Sequence, residues 1–191
     1  MPAAREWRRY SFGMADQVLL DLIAPNLRVL FCGINPGLVS AATGHHFARP
    51  GNRFWPALHR SGFTRRQLRP DEQSELLTYG VGITNIVDRA TARADELTRA
   101  EFAAGAEHLV EKVLRYSPDW LAVVGITAYR DAFGERKATM GQQLRRIGPT
   151  RVWILPNPSG LNAHYTVDKL AGAFAELRTA SLSEGEGDGG P

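Results

Sequence analysis

The chain has 191 residues, 43% of them hydrophobic and 23% charged, with a formal net charge of +3. That is enough apolar content for one sizeable core, and it is not the composition of a disordered chain. Charges and Pro/Gly interrupt every apolar run well short of a membrane span, and the single cysteine, Cys32, excludes an internal disulfide, a four-thiolate iron–sulfur cluster and a paired CxxC zinc site.

The opening MPAAREWRRYSF has no apolar signal-peptide core, so the expected compartment is the cytoplasm. Residues 1–13 read as a loosely attached arm. Helical spacing of Val18, Leu19, Leu22 and Ile23 predicts a helix over Ala15–Ile23. The run Arg28–Ile34 reads as a buried strand. It leaves through Gly33-Ile34-Asn35-Pro36-Gly37, where Pro36 forces Asn35 out of helical geometry and Gly37 allows close backbone approach. Asn35 is then either part of an ordinary strand-closing turn or a carboxamide held rigidly toward a ligand.

A long stretch, Leu38–Arg53, follows with His45, His46, Phe47, Arg49, Asn52 and Arg53; ordered loops of that length tend to be functional. An aromatic beside two histidines suits stacking on a planar ring and hydrogen bonding to its edge. A metal reading of the histidines finds too few partners, and no metal is expected. A helix is predicted over Asn52–Arg60, with Phe54 and Trp55 in the core and Asn52 a possible cap, and another over Pro70–Tyr79 from its Pro-Asp-Glu start.

Val81–Val87 reads as a second strand, with Asn85 and Asp88-Arg89 at its exit, either as local capping and ion pairing or as site residues. A helix over Leu97–Tyr116, a strand over Asp119–Gly125, a helix near Thr127–Phe133 and a strand over Arg151–Leu155 come next. The last strand exits through Pro156-Asn157-Pro158-Ser159-Gly160-Leu161-Asn162, a second stiff Asn-Pro turn. Leu161 either folds back into the core or stands out as an apolar wedge for a base stack, and Asn162 is a candidate helix N-cap. A helix over Thr166–Leu177 closes the pattern, followed by an acidic, Gly-rich tail over residues 181–191 that is expected to be disordered.

Short apolar strands alternating with helices predict an α/β fold: a three-layer α/β/α sandwich around a mainly parallel four-stranded sheet. Ligands in such sheets bind beyond the carboxyl ends of the strands. All but three of the 23 basic residues (Lys112, Lys137 and Lys169) are arginine, which suits phosphate and equally reflects a GC-rich coding bias.

Four segments, GINPG (Gly33–Gly37), TGHHFARPGNRFW (Thr43–Trp55), GITNIVDR (Gly82–Arg89) and NPSGLN (Asn157–Asn162), stand in order at these strand exits. Together they resemble the mismatch-specific uracil/thymine-DNA glycosylases, a branch of the uracil-DNA glycosylase superfamily, over roughly Arg28 to Leu177. The resemblance implies a single glycosylase domain over residues 14–180. It implies a monomeric base-excision-repair enzyme, at the nucleoid if the source is bacterial. Such an enzyme flips uracil, or thymine and other modified pyrimidines, out of duplex DNA with a G:U or G:T mismatch and hydrolyses the N-glycosidic bond without a cofactor.

By the same resemblance Asn35 holds the attacking water, and Ile34, Phe47, His46, Ser40 and Asn85 line the base pocket. Asn157, Ser159, Gly160, Leu161, Asn162, Arg49 and Arg53 meet DNA, with the loop Gly160-Leu161-Asn162 filling the vacated stack. Asn157 stands where other branches carry histidine, Asn85 where some bacterial members carry lysine, and Asn162–Tyr165 lacks an arginine found in some relatives. Clearance for a thymine methyl is expected near Ser40–Ala42. With no lysine in the crevice segments, a Schiff base and strand cleavage are not expected. The competing readings are another lesion such as hypoxanthine, xanthine or ethenocytosine, a non-catalytic module that binds mismatched or abasic DNA, and an enzyme of free nucleotides.

Overall fold

The structure is a computed structural model that describes residues 18–183. The expected arm lies outside the described residues, as does the acidic tail beyond Ser183. The chain runs β1 (Val29–Gly33), α1 (Leu38–Thr43), α2 (Phe54–Arg60), a 3-10 helix (Pro70–Tyr79), β2 (Val81–Asn85), α3 (Arg99–Tyr116), β3 (Trp120–Val124), α4 (Ile126–Phe133), β4 (Gly141–Ile147), β5 (Thr150–Leu155) and α5 (Val167–Leu182).

One five-stranded sheet has the order β2-β1-β3-β5-β4; the first four strands in that order are parallel, and β4 pairs antiparallel with β5. The parallel strands are apolar on both faces because both are covered. Val29 and Phe31 point into a core closed by α2, the 3-10 helix and α5, whereas Leu30 and Cys32 point into a second core closed by α3 and α4. This is the expected three-layer sandwich. Cys32 is buried, and desolvation pushes its thiol pKa far above the ordinary value.

The sheet has a fifth strand that the pattern does not reveal. β4 reads GQQLRRI, and every residue but Ile147 is at least partly exposed, so an edge strand with one weak apolar contact carries no hydrophobic signal. The helix expected over Ala15–Ile23 is also not found in its described part. Residues 18–23 are extended: Leu22 exchanges two backbone hydrogen bonds of 2.8 Å with Ile83, which covers the outer edge of β2. Leu19 faces in while Val18 and Leu20 face out, a period of two that the leucine-rich spacing conceals. Pro70–Tyr79 is helical as expected, but of the 3-10 type.

The exits from β1 and β3 leave to opposite sides of the sheet. β1 feeds α1 and α2 on one face, and β3 feeds α4 on the other. Between these adjacent strands lies the topological switch point, where a ligand crevice forms.

Candidate active site

A cavity of about 380 Å3 opens at that switch point, within the range of small-molecule sites. It is bordered by Ile34 and Asn35 after β1, Asn85 at the end of β2, Val124 at the end of β3 and Asn157 after β5. Hydrogen bonds continue past the ends of β1 and β2, from Ile86 N to Gly33 O (3.0 Å) and from Val87 N to Ile34 O (3.0 Å), and tie these two exits together. Gly33 is required here by close approach: a Cβ would sit 2.4 Å from Asn85 Oδ1.

Asn35 is firmly held at the mouth. Its Nδ2 donates to Arg89 O at 2.8 Å and to Thr91 Oγ1 at 2.7 Å, so both amide hydrogens are used. Among the described residues no donor reaches its Oδ1, which is left as an acceptor for something in the cavity. Thr91 is buried and itself fixed, its Oγ1 donating to Arg93 O (2.8 Å) and its N to Pro36 O (3.1 Å). An amide oxygen so placed orients a water molecule by accepting from it, without the basicity to deprotonate it.

The stretch after Gly37 is partly helical, since Leu38–Thr43 forms α1, and it then wraps the cavity. Ser40 is buried at the cavity wall, and its Oγ accepts from Ala48 N at 3.1 Å. Phe47 has φ +53°, a left-handed conformation that is costly for an aromatic residue. The surroundings enforce it: its ring stacks on the buried Phe54 at 4.0 Å and 19°, and it also borders the cavity.

His46 is only 1% exposed. Its Nε2 is 3.0 Å from Leu20 O, and a carbonyl can only accept, so the proton is on Nε2 and Nδ1 is bare. Burial pushes its pKa below the ordinary value, and the ring is held neutral. Its backbone is tied on both sides, its N donating to Gln73 Oε1 (2.8 Å) and its O accepting from Trp55 Nε1 (3.1 Å). Asn85 is 7% exposed at the cavity wall and has no hydrogen-bond partner among the described residues. A buried carboxamide without a protein partner can pair with an edge that both donates and accepts.

The turn after β5 forms the far rim. Asn157 Oδ1 accepts from Ser159 N (2.9 Å), Ser159 Oγ from Leu161 N (3.3 Å), and Asn162 Nδ2 donates to Asn157 O (3.1 Å). Asn162 therefore closes the turn; the N-cap of α5 is Thr166. Leu161 is 71% exposed at the tip and is not folded into the core.

Ile34, Asn35, Ser40, His46, Phe47, Arg49, Asn85, Asn157, Ser159 and Leu161 all border the cavity, whereas Arg53, Gly160 and Asn162 stand behind it. Arg53 Nη1 donates to Ser159 O (3.2 Å) and Asn162 O (2.8 Å), and its N to Pro158 O (2.9 Å). Its guanidinium braces the rim loop from within, where the sequence suggested contact with DNA. Gly160 packs on Gly51, where a Cβ would come within 2.6 Å of the Gly51 carbonyl oxygen. Arg49 remains exposed at the mouth.

Leu19 and Ala92–Asp95 border the cavity without having been singled out in the sequence, as Thr91 and Gln73 stand behind it. The TxR spacing of Thr91 and Arg93 gives no motif, and Leu19 is hidden in an apolar run whose spacing suggests a helix. Lys112 is held by Asp21 (2.5 Å) and Thr84 (2.8 Å) and does not border the cavity.

The family model described as the uracil DNA glycosylase superfamily matches residues 20–178, and the chain belongs to that superfamily. Its members are DNA glycosylases, hydrolases of the bond between base and sugar whose substrate is DNA.

Proposed function

From that membership we propose that the chain is a monofunctional glycosylase that extrudes uracil from duplex DNA, preferentially opposite guanine, and leaves an abasic site. The observation that carries the reading is the fixed amide of Asn35, with both hydrogens bound to the chain and its oxygen without a donor among the described residues, at a cavity walled by Phe47 and Asn85. In this reading the flipped pyrimidine lies against the free face of Phe47, and Asn85 meets its amide-like edge. Unpairing costs a few kcal/mol and is cheapest at a mismatch, which favours U opposite G before any chemistry.

The C1′–N1 bond then breaks with its electron pair departing on the base. A water held by Asn35 Oδ1 adds to C1′ and gives its proton to solvent. Because a carboxamide is no general base, the base leaves largely before water adds, and catalysis rests on position and on fixed dipoles. Leu161, at the tip of a loop braced by Arg53, would fill the vacated stack. The engagement of Lys112 with Asp21 and Thr84 supports hydrolysis over Schiff-base chemistry. Clearance beside Ser40 would decide whether a thymine methyl is admitted.

The test is base release from duplexes carrying U, T, hypoxanthine or ethenocytosine opposite each normal base, with wild type and Asn35→Ala. Uracil release that is fastest opposite G and collapses in Asn35→Ala, while duplex binding persists, is the expected result. Release of hypoxanthine alone would move the chain to another lesion, and release unaffected by Asn35→Ala would remove the assigned role.

A further inference from the structure

A second and larger cavity, of about 550 Å3, lies at the opposite end of the sheet from the candidate site. Its walls come from residues that lead into the parallel strands, such as Arg28 before β1 and Asp119 before β3, and from Ser181 and Leu182 at the end of α5. Three arginines, Arg28, Arg146 and Arg151, line it against the single carboxylate of Asp119.

Arg28 is the informative one. Its Nη2 donates to Tyr79 O at 3.2 Å, but its Nε is buried with no hydrogen-bond partner. It is the only fully buried side-chain nitrogen or oxygen without a partner among the described residues, so the protein leaves this guanidinium incompletely bonded. Burial, and then the like charge of Arg178, push the Arg28 pKa below its ordinary value, with Asp119 opposing the shift. The Arg151 guanidinium is fixed over the Trp120 ring at 5.2 Å, and exposed Arg146 reaches Pro149 O at 3.4 Å.

We propose that this cleft is a binding site for an oxyanion, a phosphate or carboxylate group held by the guanidinium groups of Arg28 and Arg146. Planar forks of N–H donors match such groups two bonds at a time, and a partly desolvated site strengthens each of them. Two sources supply this chemistry. One is phosphate from outside the chain. The other is the chain's own Glu184, Glu186 and Asp188, which follow in sequence directly after the end of α5 that walls the cavity. The proposal does not depend on the glycosylase reading, because the two cavities share no residue.

Isothermal titration with inorganic phosphate at fixed ionic strength tests it. The proteins are the full wild-type chain and the full chain carrying Glu184→Gln, Glu186→Gln and Asp188→Asn, each also with Arg146→Gln, Arg28→Lys or Arg49→Gln. Arg28→Lys keeps the charge and removes Nε, and Arg146 is exposed, so at least one substitution leaves the fold undisturbed.

Binding by wild type that weakens about tenfold or more with Arg146→Gln or Arg28→Lys, a change of roughly 1.4 kcal/mol, identifies an external phosphate as the source. Binding seen only when the acidic run is neutralised, with the same sensitivity, identifies the chain's own carboxylates. No binding by either protein, or binding that responds to Arg49→Gln and not to Arg28 or Arg146, overturns the proposal.

Discussion

A carboxamide has two ends, and at Asn35 the chain has used one of them. Thr91 supplies half of that anchorage, from a residue with no motif around it. A neutral hydrogen bond contributes about 1 kcal/mol. Thr91→Val should therefore lower the single-turnover rate several-fold with little change in substrate affinity, as for a group that positions another. An equal loss in affinity and rate would assign Thr91 to binding instead.

His46 is a second residue with a measurable signature. Its folded pKa is lowered, so the unfolded chain takes up the proton first; the stability its neutral ring preserves is complete above the ordinary value near 6.5 and is lost as pH falls below it. Replacing it by Gln should flatten the fall in Tm between pH 7 and pH 5; an unaltered slope would show that the ring is not held neutral. Asn35 and Asn85 were legible because each sits at the end of a strand inside a distinctive run, and Phe47 because it stands beside paired histidines in a long connecting stretch. Thr91, Gln73 and Leu19 were not, because each matters only through a partner far away in sequence, and spacing carries no trace of that.

At the scale of elements, the rim loop is held by its neighbour rather than by itself. Arg53 reaches the carbonyls of Ser159 and Asn162, and Gly160 rests on Gly51, so the turns before α2 and after β5 are one unit. Arg53→Gln should reduce activity most on well-paired substrates, where a firm wedge matters, and leave the salt dependence of DNA binding unchanged. Arg49→Gln, at the open mouth, should lower the slope of log Kobs against log salt by about 0.9 if its guanidinium meets one phosphate. Equal slopes for wild type and Arg49→Gln would place Arg49 off the backbone. β4 and the extended 18–23 segment share the position that hid them from the sequence. Both lie at sheet edges, where backbone pairing does the holding and the side chains, polar in β4 and helix-spaced over 18–23, do not report it. The continuous apolar strands, buried on both faces, announced themselves.

For the molecule as a whole, the larger core and the candidate site meet at one ring. Phe54 is fully buried against Phe31 (5.3 Å) and Phe174 (6.0 Å), and its face backs Phe47. Phe54→Ala should cost about 3–5 kcal/mol in urea denaturation and also unseat Phe47. Activity that survives in the folded fraction would show that Phe47 holds its strained backbone unaided. The layered α/β architecture followed from strand-and-helix alternation, and the location of the site followed from the architecture, since the crevice lies where successive crossovers diverge. The second cavity left no trace in the sequence, because its arginines come from segments separated by most of the chain. The other core encloses the chain's lone sulfhydryl, with Cys32 inaccessible and its thiolate strongly disfavoured. A maleimide dye would thus pass over the native protein and attach only to an engineered cysteine, so exposed positions such as Val18, beside the cavity-lining Leu19, and Leu161 on the rim can each carry a fluorophore in an otherwise unaltered background.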